Sequence, residues 1–285
     1  MPDRKRTAER GVSDVIGFVL IFALITSTAA IVYTVGFSGL QDARQEERVS
    51  NAERVFDILA DNVGDLQHRG APSRATEIKL SEASLGYDDE TTLTVEVTNA
   101  PATPRYSTNL DPITYSPTDS AVQLVYENGA VFREQRSGGV VLERPGSVFR
   151  TDGATKTAVI PFVQTRRTGS SGVGGSSTVR IRTENLGSEV LGALATPSDA
   201  TADPDGDGTD EADPDPDNDG SDEYRITYTI RTSPTRAPVW EESLEERIPD
   251  SWKADACSVS GGTVTCSLGV ERLYVTATRV DVSFS

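Results

Sequence analysis

Histidine and cysteine are scarce in this sequence of 285 residues, and basic residues are too few to balance the acidic ones. A single histidine, His68, excludes metal sites built from several histidines and most Ser-His-Asp catalytic arrangements. The 27 basic residues stand against 44 acidic ones, and the net charge of -17 argues against nucleic-acid binding because phosphate would be repelled. Nucleophile-elbow, HExxH and dinucleotide-binding motifs are also absent. The sequence therefore predicts a protein that is not an enzyme and requires no cofactor.

Lysine is the rarer of the two strong cations, because only four of the 27 basic residues are lysines. This acidic, lysine-poor composition resembles that of proteins from extreme halophiles, where salt screens the repulsion between like charges. An acidic surface protein of a mesophile is the alternative interpretation.

The longest segment without any charge, residues 15–41, follows a basic segment at residues 1–11. It exceeds the roughly 20 apolar residues that a helix needs to cross a membrane, and no second segment is apolar enough. Cytoplasmic flanks of such helices are enriched in Lys and Arg, so the basic segment places the N-terminus in the cytoplasm. The sequence predicts a single-pass protein of the cell membrane whose C-terminal domain is extracellular.

The processing of this N-terminal region has three candidate outcomes. A secretory signal peptide would be cut near Thr28-Ala29-Ala30, but the apolar run continues beyond that point. An uncleaved anchor fits the hydropathy. The junction Arg10-Gly11-Val12-Ser13-Asp14-Val15-Ile16-Gly17 resembles the class III signal peptide of haloarchaeal type IV pilin-like proteins, although position 14 is often proline there. That resemblance implies that a prepilin peptidase cuts between Gly11 and Val12 and leaves the apolar helix, residues 12–41, on the mature protein.

The same resemblance implies partners and one further residue for filament assembly. The helix of residues 12–41 would pack against other pilin-like subunits, and pilus assembly machinery would add the subunit to a filament. Asp14 would be the third mature residue, and we expect its carboxylate to neutralise a free N-terminal amine, because a buried charge needs a partner of opposite sign. The alternative is that Asp14 caps the first helical turn at the membrane interface.

A second, amphipathic segment covers residues 42–70. Its apolar residues recur mostly every three or four positions, which predicts a helix with one buried face that ends at Gly70 and Pro72. One helix from about residue 13 to residue 67 is expected, and a membrane anchor followed by a separate helix is the alternative. The stretch from Asn51-Ala52-Glu53-Arg54 to Arg69-Gly70-Ala71-Pro72 is similar to an uncharacterised haloarchaeal pilin-like family, which implies no activity.

In residues 75–285 the apolar residues no longer recur every three or four positions. They alternate with polar residues instead, which is typical of strands. The predicted fold class is α+β, a long transmembrane and amphipathic helix followed by a mainly antiparallel β-sandwich domain. The last segment, residues 270–284, changes phase halfway along. A one-residue bulge near Thr278-Arg279 would reconcile its two halves.

An acidic insertion, residues 202–223, contains two copies of the pattern that opens a calcium loop. Oxygen ligands at alternate positions, with glycine at the sixth, suit Ca²⁺. The insertion resembles thrombospondin type 3-like repeats, but position 12 of each copy, Pro214 or Ile226, lacks the bidentate glutamate of an EF-hand. A solvated acidic linker is the alternative. The candidate ligands are Asp203, Asp205, Asp207, Asp215, Asp217 and Asp219.

The two cysteines, Cys257 and Cys266, lie four positions on either side of Gly261-Gly262. A two-residue hairpin at these glycines would place the cysteines opposite each other, within the Cα separation that a disulfide tolerates. An external location favours oxidation. The sequence predicts a disulfide that stabilises a hairpin near the C-terminus.

The resemblance and the large external domain together predict a pilin-like, non-enzymatic and minor subunit of an archaeal type IV surface filament. Its role would be adhesion, filament initiation or filament decoration. The expected partners are a prepilin peptidase, other pilin-like subunits, the pilus assembly machinery and the membrane, with no nucleic acid. Ca²⁺ in the acidic insertion is the one candidate cofactor. The alternative is a single-pass, membrane-anchored surface protein with a ligand-binding β domain that does not polymerise.

Overall fold

The structure is a computed structural model that describes residues 5–98, 100, 103–136, 138–153, 155–195, 223–252 and 256–285. The chain divides into two compact units, Met1–Arg48 and Val49–Ser285. Helix α1 (Lys5–Arg69) supplies the described part of the first unit and the beginning of the second, and every strand of the described residues lies in the second. The predicted α+β fold is confirmed.

Helix α1 begins earlier than predicted and ends at the predicted place. It includes residues 5–12, where no proline interrupts the helix. At its other end Gly70 adopts a φ of 64°, a left-handed conformation that glycine takes without steric cost. Asn185 donates from Nδ2 to the carbonyl oxygen of Leu66 at 2.9 Å, which satisfies one of the last carbonyls of the helix.

The C-terminal part of α1 packs into the β domain through one apolar face. Its buried residues follow one another at alternating spacings of three and four, so they form a single stripe. Each large side chain in the stripe stabilises the packed helix by about 1.5–3 kcal/mol. The predicted amphipathic pattern is confirmed from the first of these residues onward. The stripe consists of Val49, Ala52, Phe56, Leu59, Val63 and Leu66.

Sixteen strands occur in the described residues, together with one further α-helix, α2 (Ala237–Glu245), and a short 3₁₀ helix (Asp250–Trp252). The strands are β1 (Ser73–Lys79), β2 (Ala83–Tyr87), β3 (Thr91–Val97), β4 (Arg105–Leu110), β5 (Ile113–Pro117), β6 (Gln123–Glu127), β7 (Ala130–Gln135), β8 (Gly138–Glu143), β9 (Val148–Asp152), β10 (Thr155–Arg167), β11 (Gly172–Gly175), β12 (Thr178–Ala195), β13 (Tyr224–Arg231), β14 (Cys257–Ser260), β15 (Thr263–Val270) and β16 (Arg272–Phe284).

These strands form three sheets in the described part of the chain, where a simple sandwich would have two. Sheet 1 has the order β1-β12-β16-β10-β9, sheet 2 the order β11-β2-β5-β6-β7-β8, and sheet 3 the order β14-β15-β13-β3-β4. Among the described strands, neighbours are antiparallel except β10 and β16, which are parallel. The middle of sheet 2 is apolar on both faces, because Val125 of β6 enters one core while Leu124 and Tyr126 enter another. A two-faced apolar sheet explains why the domain has two cores.

The phase change predicted in the last strand is real, but its cause is different. β16 pairs with β10 in unbroken register through Thr278 and Arg279, so no bulge interrupts it there. The register shifts lie instead in β12, one of them between Asn185 and Gly187. β16 changes phase because it serves two cores, and its buried residues lie on opposite faces of the strand. Leu273, Val275 and Ala277 belong to the first core, and Val280, Val282 and Phe284 belong to the second.

Candidate functional site

The first candidate site is the apolar part of α1, which presents large side chains with no cover. Phe18 is 69% exposed and Tyr33 is 71% exposed. The aliphatic residues around them are exposed to a similar degree. Within the described residues, α1 is the one helix long and apolar enough to cross a membrane. Such exposure in water would be costly, so this part of the helix is consistent with a single-pass membrane anchor.

The polar side chains within this apolar part are satisfied by the helix itself. Thr26 donates its hydroxyl to the carbonyl of Phe22 at 2.8 Å, and Thr28 does the same to Leu24 at 2.7 Å. Thr34 donates to the carbonyl of Ala30 at 3.0 Å. Hydrocarbon offers no partner to a hydroxyl, so internal hydrogen bonds of this kind lower the cost of placing these threonines in a membrane.

The predicted cleavage and assembly residues, Gly11, Val12 and Asp14, lie within α1. Only their backbone is described, so the pairing of Asp14 with an amine stays a prediction. The six aspartates of the acidic insertion lie outside the described residues, and Ca²⁺ binding there also stays a prediction. In the described part of the chain, no group of three or more His, Cys, Asp or Glu side chains could hold a metal ion.

The predicted disulfide joins Cys257 of β14 to Cys266 of β15. The two residues are directly paired in the antiparallel hairpin, and Gly261-Gly262 forms the two-residue turn between the strands. Gly261 has a φ of 58°, which favours glycine. A Cβ on Gly262 would lie 2.4 Å from the carbonyl oxygen of Thr232, so only glycine lets the turn approach that backbone. The disulfide therefore closes a hairpin whose turn is itself fixed in place.

A buried ionic cluster is the second candidate site, and the sequence analysis did not identify it. Arg236 is the residue that precedes α2, and its side chain is 1% exposed. Its guanidinium donates to Glu127 at the end of β6, to Glu134 of β7 at 2.6 Å and to Asp88 at 2.6 Å. Trp240 of α2 donates from Nε1 to Glu127 at 2.8 Å. The cluster thus connects the beginning of α2 to two strands of sheet 2.

One guanidinium in this cluster serves three carboxylates. Burial raises the pKa of Glu134, and the charge of Arg236 opposes that rise without cancelling it. Burial alone would lower the pKa of Arg236, but the surrounding carboxylates, Glu127 first, outweigh it and raise that pKa. Nothing in this arrangement activates a nucleophile, and its evident effect is to hold α2 against sheet 2. Arg236 lies 102 to 148 positions along the chain from the three carboxylates, so no local sequence pattern predicts the cluster.

Comparison with known proteins gives one finding. Residues 10–283 match the family model described as a family of unknown function, DUF7289. No curated protein and no solved structure matches the chain. The match extends from the charged junction before the apolar helix to the end of the last strand, so the helix and the β domain occur together in this family.

Proposed function

The chain belongs to the DUF7289 family of unknown function, and we propose that it serves as a pilin-like, non-enzymatic, minor subunit of an archaeal type IV surface filament. In this role it would contribute to adhesion or to the initiation or decoration of the filament. The runner-up is a single-pass surface protein that stays in the membrane and binds a ligand through its β domain.

The observation that carries the proposal is that the two parts of helix α1 differ in exposure: the first is exposed and the last is buried. Its first part is uncharged from residue 15 to residue 41 and exposes its apolar side chains, while its last part, from Val49 to Leu66, is buried in the β domain. A helix of this kind offers an apolar surface to identical helices and carries a folded domain on the same element. An isolated anchor would not need a helix that continues into the domain core.

The charges of the N-terminal segment support processing before assembly. Residues 1–11 contain four basic and two acidic residues, so their removal takes away two net positive charges. The mature chain would then have 23 basic and 42 acidic residues, a net charge of -19. Without the basic flank, the apolar helix is free to leave the bilayer sideways and pack against other subunits.

The disulfide supports the extracellular placement of the β domain. Disulfides persist in oxidising surroundings and are rare in the cytosol, and both cysteines of this chain are paired. This agrees with the orientation expected from the basic residues before the apolar helix. The disulfide supports the runner-up equally. Only a test of processing or of filament assembly can therefore distinguish the two candidate functions.

The decisive experiment is the N-terminal mass of the protein recovered from native cells. We expect a mature chain that begins at Val12, and the variant Gly11→Val is expected to remain uncut because a β-branched side chain replaces glycine at the cleavage point. Gly17→Val is the matched control, since a Cβ at Gly17 would contact nothing within 4 Å and the residue lies beyond the cut. An intact N-terminus in the unaltered protein would favour the membrane-anchored runner-up.

A further inference from the structure

Each of the three sheets formed by the described residues ends in two edge strands, and five of these six edges are protected against pairing with another chain. An edge strand exposes backbone N–H and C=O groups, so proteins protect their edges with charged residues or keep them very short. β11 and β14 have four residues each, and β14 is also held by the disulfide. The edges that carry an arginine are β1, β4 and β9.

The sixth edge, β8 of sheet 2, lacks this protection. Its first five residues, Gly138-Gly139-Val140-Val141-Leu142, are uncharged, and its one charged residue is the last, Glu143. Val140 is 54% exposed and Leu142 is 36% exposed. The register shift against β7 lies at the end of β8, next to Leu142, so residues 138–141 pair regularly with β7. β8 therefore offers an apolar edge to which a further strand can be added.

Helices flank both faces of β8, so the open direction is the edge itself. On one face, a Cβ on Gly139 would lie 3.0 Å from Cγ2 of Val239 in α2. On the other face, a groove of about 200 Å³ lies beside α1, and Asp57 and Leu142 are among the residues that line it. The exposure of Val140 shows that neither helix covers the edge.

The residues at the two ends of β8 carry opposite charges. Arg136 lies just before the strand and is exposed, and Glu143 ends it. None of the ion pairs among the described residues includes either of them. Burial raises the pKa of Glu143, and its hydrogen bond with Asp57 of α1 raises that pKa further. A positive charge beside Glu143 would be stabilising.

A second copy of this chain supplies the matching charge at both ends. When two identical strands pair antiparallel across a two-fold axis, the start of each lies beside the end of the other. Arg136 of each copy then lies beside Glu143 of the other, and the same attraction occurs twice. A parallel pair would place Arg136 beside Arg136 and Glu143 beside Glu143, and like charges opposite each other are destabilising.

We propose that two copies of this chain pair through β8, antiparallel and across a two-fold axis, so that sheet 2 of one copy continues into sheet 2 of the other. Backbone hydrogen bonds join the two strands, and Val140 of each copy is removed from water. A pair of six-residue strands is a small interface, so we expect a weak dimer that depends on concentration. The pairing needs neither cleavage at Gly11 nor assembly into a filament, so either proposal can fail without the other.

The first test exchanges the charges at the two ends of β8. Sedimentation of the full-length protein in a non-ionic detergent is measured at about 0.15 M salt, where charges more than about 8 Å apart are largely screened. Arg136→Glu alone and Glu143→Arg alone are each expected to weaken self-association by roughly tenfold, because the two-fold axis counts each change twice.

An equal mixture of these two variants should associate again, because each copy then offers the charge that the other needs. A single chain with both changes should also recover its self-association. Association through α1 would respond to none of these changes. The proposal is overturned if the unaltered protein stays monomeric at millimolar concentration, if the single variants associate normally, or if the mixture fails to recover.

The second test places a charge on the edge itself. Val140→Lys is expected to abolish the dimer and to leave the melting temperature unchanged, because the side chain is already exposed. Val148→Lys is the matched control, since Val148 is an exposed valine on β9, an edge strand of sheet 1, and this variant is expected to dimerise normally. Equal association of the two variants would count against pairing through β8.

The third test detects the contact directly with a short bismaleimide cross-linker. Val140→Cys introduces the one free thiol of the chain, because Cys257 and Cys266 are joined to each other. We expect a covalent dimer from Val140→Cys and none from the control Val148→Cys. A monomer in both cases would overturn the proposal and would leave the β8 edge for a strand from a different protein.

Discussion

The substitution Arg236→Met tests how strongly the buried ionic cluster stabilises the β domain. Methionine keeps a long flexible side chain but removes the guanidinium, so the main change is electrostatic. Glu127, which is fully buried, and Glu134, which is nearly so, would lose their cation. Removing one partner of a buried ion pair costs about 3–5 kcal/mol. Since domains unfold with free energies of about 5–15 kcal/mol, we expect the variant to lose a large share of its stability.

The assay is urea unfolding of the full-length protein in a non-ionic detergent, followed by tryptophan fluorescence. Urea is preferred to guanidinium chloride because it does not change the ionic strength. The chain has two tryptophans, and one of them, Trp240, donates to Glu127, so part of the emission comes from the cluster itself. The matched control is Arg144→Met, because the ion pair of Arg144 with Glu246 is about half exposed on both sides. That control is expected to lose only about 0–1 kcal/mol.

If Arg236→Met loses no more free energy of unfolding than the control Arg144→Met, the reasoning is refuted. That result would mean that burying the carboxylates without Arg236 has no cost in stability. The pH dependence provides a second criterion. Without Arg236, the burial that already raises the pKa of Glu134 acts without an opposing positive charge, so this pKa rises further in the folded variant. The deficit in stability should therefore shrink as the pH is lowered and grow as it is raised. A deficit that does not change with pH would contradict the electrostatic origin.

Two further predictions concern Glu134 and the disulfide. Burial raises the pKa of Glu134 in the folded protein, so its contribution to stability is present below the unfolded value of about 4.3 and is lost as the pH rises through the folded pKa. Glu134→Gln should thus gain stability relative to the unaltered protein as the pH rises toward neutral in urea titrations, and parallel pH curves would contradict this. The double variant Cys257→Ser, Cys266→Ser, which opens a loop between cysteines nine positions apart, should lose about 2.5 kcal/mol. Reduction of the unaltered protein should reproduce that loss and leave the double variant unchanged, whereas equal sensitivity of both proteins to reductant would contradict it.

Features that depend on neighbouring residues were predictable from the sequence. Gly70 ends α1 because a left-handed residue stops the helix, and this signal lies within one turn of the helix end. The stripe that begins at Val49 repeats every three or four residues. The pairing of Cys257 with Cys266 depends only on the two-residue turn between them. In each case the physical cause and the sequence signal occupy the same short segment.

Features that depend on distant residues were not predictable in the same way. Helix α2 has nine residues, too few for an isolated helix to be stable, so its local signal is weak even with a proline in its first turn. Burial of Trp240 stabilises it instead. The interval of four between Asp57 and Asp61 is visible in the sequence and could have marked an acidic helix face. The approach of Glu143 to that face could not be seen, because it depends on where β8 lies in sheet 2.

The position of β16 has a consequence for the time at which this protein can fold. The strand lies between β12 and β10 in sheet 1, and it supplies Leu273 and Val275 to one core and Val280 and Val282 to the other. Neither core can therefore be completed before residues 272–284 are in place. If the β domain is exported as proposed, with the N-terminus kept in the cytoplasm, a chain crossing in order from β1 to β16 would keep both cores open during nearly all of its passage. It would then close them together, once the final strand has crossed the membrane.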